Sequence, residues 1–320
     1  MKYIQYHSEP ALRSPVLVAA MGGWNDAADS ATTAIKFLID RWKPSKIAEI
    51  DIEEFNVFTE TRPTIKYVDG IQRTLVWPTN QFLSYQSPDL SNDIVLYLGV
   101  EPQLKWKTFS KCFFEVCNKF KVSEVVLLGA LLADVPHSIS VPISGSSSNI
   151  DLKERLKEMD IHSSRYEGPT GMIGVLQDTF RRAAIPAASL WAAAPHYLAA
   201  TPNIKVTSAL LTYLNTFMSF GLDLSDIQAD AMRFEEQITT LVARDPEASA
   251  YVRKLEEQVT GSAHPEDEDD DDENSFFNPD RTVGTGPLPS AESLIRGVEE
   301  LLRKQRENGD QNPFDDEEHE

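Results

Sequence analysis

Two runs, Asp93–Gly99 and Ser123–Gly129, are apolar almost throughout, and each lies next to a segment with helical periodicity. A strand without polar alternation needs both of its faces covered, and a strand followed by a helix and another such strand is the pattern of a parallel sheet between helices. The same pattern begins earlier. Pro15-Val-Leu-Val-Ala-Ala20 reads as a strand, Met21-Gly-Gly-Trp-Asn-Asp26 as a glycine turn, and Ala31, Ala34, Ile35 and Leu38 as one face of a helix with Asn25 or Asp26 as its N-cap. Lys46–Asp51, Gln72–Trp77 and Ala187–Ala193 read as further strands. Trp106–Phe120, Asp151–Met159 and Gly168–Ala183 read as helices, the last glycine-initiated. Ser144–Asn149 reads as a flexible loop or helix cap.

From Thr201 the period becomes wholly helical. Leu210, Leu211, Leu214, Phe217 and Met218 mark one helix, and Ile227, Phe234, Ile238, Leu241 and Val242 a second. Asp245-Pro246 starts a third, with Tyr251, Leu255 and Val259 on one side. These helices either complete the domain or cover an oligomer interface. Glu266–Glu273 is a run of eight carboxylates whose repulsion opposes compact structure, so residues 1–260 are expected to form the domain and 261–289 an acidic disordered linker. Within 290–308, Leu294, Ile295, Val298, Leu301 and Leu302 make an apolar stripe for a short amphipathic helix, and 309–320 is an acidic tail. Such a helix needs a surface to lie on.

The formal charge of −20 is concentrated at this end. Residues 261–320 hold 19 acidic and five basic residues, giving −14 and leaving −6 for the domain. No dense basic stripe marks a nucleic-acid surface, and charged partners are expected to be basic. The two cysteines, Cys112 and Cys117, suit buried apolar positions better than a disulfide or a metal pair. No export signal and no apolar run of about 18 residues is visible, which points away from the membrane and to the cytoplasm.

In an open parallel sheet, ligands bind beyond the carboxyl ends of the strands. The polar residues expected there are Gly22, Gly23, Asn25 and Asp26, then Glu101, Asp134 and His137, then Glu167 and Thr170, and finally His196. They form a candidate pocket. No G-x-G-x-x-G, phosphate-loop or G-x-S-x-G motif accompanies them, and the histidines lack helical metal-pair spacing, so neither cofactor nor metal is expected and no catalytic residue is assigned.

One ordered set of motifs is more specific than any of its members. Ala20-Met-Gly-Gly-Trp-Asn-Asp-Ala-Ala-Asp29, Leu128-Gly-Ala130, Asp134-Val-Pro-His137, Gly145-Ser-Ser-Ser-Asn149, Tyr166-Glu-Gly-Pro-Thr-Gly171, Ser189-Leu-Trp-Ala192 and Pro195-His-Tyr197 together resemble the PAC2 family, the proteins similar to proteasome assembly chaperone 2, in its actinobacterial form with a C-terminal helical extension. The resemblance implies a three-layer α/β/α sandwich related to the purine nucleoside phosphorylase/hydrolase type, with C-terminal helices. It also implies homo-oligomers and, from archaeal and eukaryotic relatives, a chaperone role with proteasome subunits as partners. Some of those relatives use a terminal hydrophobic–tyrosine–any-residue motif for docking; this chain ends Asn312-Pro-Phe-Asp-Asp-Glu-Glu-His-Glu320 without it. The competing expectation is an enzyme or a nucleotide-binding protein that uses the strand-end pocket.

Overall fold

Strands that are apolar on both faces occupy the middle of the sheet. A computed structural model describes residues 2–68, 72–164, 166–199 and 202–261. The chain runs β1 (Ile4–Tyr6), β2 (Val16–Gly22), α1 (Ser30–Trp42), β3 (Ser45–Ile50), β4 (Thr64–Val68), β5 (Gln72–Val76), β6 (Gln81–Tyr85), β7 (Ile94–Val100), α2 (Trp106–Lys119) and β8 (Glu124–Ala133). It continues through β9 (Ile143–Ser147), α3 (Ile150–Glu158), α4 (Met172–Arg182), β10 (Ala187–Pro195), α5 (Ile204–Met218), α6 (Ser225–Arg244) and α7 (Pro246–Gly261).

Eight strands form one sheet in the order β1-β3-β6-β7-β2-β8-β10-β9. The pairings β7–β2, β2–β8 and β8–β10 are parallel. Both flanks are antiparallel, so the sheet is parallel only at its centre. Alternate residues of the central strands face opposite helical layers. Val16, Val18 and Ala20 pack with α1, α3 and α5, while Leu17, Ala19 and Met21 pack with α2 and α4. The result is a three-layer α/β/α sandwich. Cys112 and Cys117 are buried in the α2 layer, where burial pushes the Cys112 thiol up to about 11.

Several local expectations change. Gln72–Trp77 does not join the main sheet: β5 pairs with β4 in a separate two-stranded ribbon, because its residues are nearly all exposed and offer nothing for a second layer to cover. Ser144–Asn149 is mostly strand rather than loop. β9 pairs with β10, Ser146 Oγ lies 3.1 Å from Ser189 Oγ, and Ser147 Oγ donates to the Ala187 carbonyl at 2.7 Å. Hydroxyls satisfied in this way remove the usual penalty for a serine-rich strand. At the end of this stretch Asn149 caps α3, accepting from Leu152 N at 3.0 Å. Gly168 lies outside the helix it was expected to open, which begins at Met172. The three C-terminal helices complete the domain: α5 lies on the sheet beside α1, α6 packs on α5, and α7 closes over Tyr197 and Leu198.

Gly129 of β8 sits opposite Trp191 of β10, and a Cβ there would lie 2.6 Å from the indole. Gly129→Ala is therefore expected to lower stability by about 1–3 kcal/mol through overpacking. Adding Trp191→Leu should recover part of the loss in urea unfolding, whereas additive losses would contradict the contact.

Candidate functional site

The first cluster of polar residues is assembled by close backbone approach. Gly23 has φ +128°, a conformation that favours glycine, and a Cβ there would stand 3.1 Å from Glu101 Cβ. Beyond the β2–β7 ladder, Glu101 N donates to Gly22 O at 2.8 Å. The Glu101 carboxylate then accepts at one oxygen, Oε1, from Asn25 Nδ2 at 2.5 Å and from Met172 N at 2.6 Å. Gly171, the N-cap of α4, has no side chain to cap with, and a Cβ would collide with Asn25 Oδ1 at 2.2 Å. Glu101 therefore supplies from across the sheet the negative group that a helix N-terminus favours. Asn25 is almost wholly buried; its backbone carbonyl accepts from Ala130 N of β8, and its Oδ1 has no hydrogen-bond partner among the described residues.

Asp26 serves α1 from further away than an N-cap. Ala28 and Asp29 take positive φ, inserting a short 3-10 turn, so the helix starts at Ser30 with Asp29 as its geometric cap. The acceptor for the first helical N–H groups is still Asp26, with Oδ1 2.6 Å from Ala31 N and 3.2 Å from Thr32 N, and Oδ2 2.5 Å from Thr32 Oγ1. Burial lifts its carboxyl from 3.8 to about 6, against the lowering effect of those three donors.

Asp134, His137 and His196 belong to a second cluster at the ends of β8 and β10. His196 Nδ1 lies 3.1 Å from Asp134 Oδ1, and its Nε2 lies 3.0 Å from Tyr251 OH of α7. His137 Nδ1 meets Tyr197 OH at 2.9 Å, and its Nε2 meets Thr239 Oγ1 of α6 at 3.2 Å. Burial, then the Lys205 ammonium, lowers the His137 pKa. Lys205 donates to the carbonyls of His137 and Ile139 and pairs with Glu235 at 2.7 Å. Thr239, Lys205 and Tyr251 carried no motif in the sequence, and the histidines they bond lie 55 to 102 positions away.

The ten expected residues thus form two polar groups, the second joined by the rings of His137 and His196 against Tyr197, and two outliers, since Glu167 and Thr170 are exposed. A larger cleft, of about 510 Å³, opens elsewhere, beside β1 and β3, and none of the ten lines it. Among the described residues no His/Cys/Asp/Glu group is arranged to hold a metal, and no helix is long and apolar enough to cross a membrane. The expected helix over 290–308, with Leu294, Ile295, Val298, Leu301 and Leu302, and the linker before it lie outside the described residues.

Because folding raises the pKa of Asp26, the native state holds this proton more tightly than the unfolded chain. That stabilisation is complete below the ordinary carboxylate value and is lost as pH rises through about 6. Asp26→Asn, which cannot titrate, should therefore gain on the wild type between pH 4 and 7, by at most about 3 kcal/mol. Urea unfolding across that range checks it; a pH-independent difference would show that Asp26 is not the titrating group.

The PAC2 family model matches residues 20–242. A PAC2 family protein from Streptomyces avermitilis is 39% identical, covering 74% of this chain and 99% of its own, with a TM-score of 0.67. A proteasome-assembly chaperone homologue from Mycobacterium tuberculosis is 41% identical over 74% of this chain and 99% of its own, with a TM-score of 0.66. An archaeal proteasome activator from Pyrococcus furiosus, 17% identical and covering 75% of this chain and 99% of its own at a TM-score of 0.59, shares the fold. No curated protein matches the chain. With the matched segment running from the end of β2 into α6 and so including all ten of the expected residues, the chain belongs to the PAC2 family.

Proposed function

We propose that this protein is a non-catalytic assembly chaperone or adaptor, acting in the cytoplasm as a homo-oligomer, with proteasome subunits as clients. The observation that carries the reading is the 41% identity to the proteasome-assembly chaperone homologue over 99% of that chain. The polar clusters support it, because their side chains are engaged mainly with one another: Glu101 caps α4, Asp26 caps α1, and the two histidines clamp α6 and α7. Groups committed to helix ends in this way organise a scaffold. The segment 290–308 is the contact element in this reading, presenting Leu294, Val298 and Leu301 to a client groove at the end of the 261–289 linker.

Full-length protein mixed with separately purified proteasome α- and β-subunits should raise the rate at which assembled particles appear on native gels. No change at stoichiometric excess would sink the chaperone reading. Removing residues 286–320 should weaken client capture at least about tenfold, the loss expected when a principal anchor goes; undiminished capture would remove the tail from the mechanism.

A second reading, a nucleotide or other small-molecule site at the strand ends, draws on one observation: buried Asp26 and Asn25, whose Oδ1 has no partner among the described residues, are consecutive on the loop after β2. A ligand of that site must raise the melting temperature by mass action. Nucleosides, nucleotides and phosphate that leave it unmoved in wild type, with the same result for Asp26→Asn, would eliminate that reading.

A further inference from the structure

The cleft beside β1 has features that neither polar cluster shares. β1 is the edge of the main sheet. Its pairing with β3 places Ile4 opposite Ile50 and Tyr6 opposite Ala48, and Asp51 N donates to Tyr3 O while His7 N donates to Ile47 O. In an antiparallel ladder the bonded pairs alternate, so Tyr3, Gln5 and His7 spend their backbone groups on β3, and Ile4 and Tyr6 turn theirs outward. An edge of this kind is a template for another strand.

The adjoining cleft supplies side-chain contacts. Phe58 and Trp77 stand edge to face with centroids 5.1 Å apart on its wall, and Trp77 is 47% exposed. Glu49, Asp51 and Glu53 line it against the single ammonium of Lys2. Glu49 is already paired with Lys46 at 2.6 Å, whereas Asp51 and Glu53 have no cation partner among the described residues. Asn80 also lines the cleft; it is buried, its Oδ1 accepts from Tyr97 OH and Val100 N, and its Nδ2 has no partner among the described residues. The set is an open backbone edge, an aromatic wall and two carboxylates without a cation among the described residues, of which Asp51 accepts from Glu53 N at 3.0 Å.

We propose that this edge is a peptide-docking site, in which an extended segment of a partner protein bearing lysine or arginine adds as a strand to β1. Its backbone pairs with Ile4 and Tyr6, its basic side chains meet Asp51 and Glu53, and its apolar side chains lie on Phe58 and Trp77. Charge complementarity selects the occupant, because an acidic segment would meet two unpaired carboxylates. The proposal stands apart from the identity of the client and from the role of residues 290–308.

Titration of the full chain with short fluorescently labelled peptides tests it. An alternating lysine–valine peptide should bind. The glutamate–valine counterpart, and the same lysine–valine peptide methylated on alternate backbone nitrogens, should bind at least about tenfold more weakly, since each loses one of the three contact types. Asp51→Asn with Glu53→Gln should cost the lysine–valine peptide about the same factor, as two charge pairs can supply. Ile4→Pro removes an outward N–H without touching a bond to β3, so the fold should survive and binding should vanish. Equal binding of the acidic or the methylated peptide would overturn the proposal, as would undiminished binding by Ile4→Pro. If Ile4→Pro does not fold, the methylated peptide against wild type decides the same question. A wild-type dimer that Ile4→Pro abolishes would assign the edge to a second copy of this chain and overturn it too.

Discussion

One carboxylate oxygen holds four elements together. Glu101 follows β7, bonds the side chain of Asn25 after β2, and receives the first N–H of α4; through the Asn25 carbonyl the same group reaches β8. A hydrogen bond to a charged acceptor contributes roughly twice a neutral one, and Glu101 is half-buried beneath the helix end. The three central strands can therefore end in polar loops while their carboxyl ends stay in register. Gly23 and Gly171 follow from this arrangement, since side chains there would occupy the space of Glu101 or Asn25.

The histidine cluster does comparable work on the other half of the sheet, with a different energy balance. His137 is buried and held neutral, and both of its ring nitrogens are engaged, one by Tyr197 and one by Thr239. Lys205 fills the neighbouring carbonyls and is neutralised by Glu235. Polar groups gathered under helices are costly unless each finds a partner, and here the partners come from α5, α6 and α7. Docking of the C-terminal helices thus completes the hydrogen bonding of the sheet's end as well as its apolar packing.

The parts legible in the sequence were those governed by local chemistry. The unbroken apolar runs of β7 and β8 could only be central strands, and Asp245-Pro246 could only begin a helix; Asp245 Oδ1 indeed accepts from Glu247 N and Ala248 N. What could not be read depended on residues distant in the chain. β9 looks like a loop until Ser189 and Ala187 answer its serines, and β6 is inconspicuous until β3 and β7 close on it. Asp26 was recognisable as a cap, but the positive φ of Ala28 and Asp29, residues with no glycine-like signature, displaced the helix start. Among the candidate residues, proximity to a strand end was readable and the division into two groups was not, because Tyr251 and Met172 decide it.

The place of β2 at the centre of the sheet bears on how the protein is made. Leu17 pairs with Val95 on one side and with Val125 on the other. A ribosome therefore releases this apolar strand well before its two sheet neighbours, and α1 alone covers only one of its faces in the interval. Long-range pairings of this kind slow folding and leave adhesive surface exposed on the nascent chain. A protein whose family includes assembly-chaperone homologues thus begins its own life as a polypeptide in need of protection.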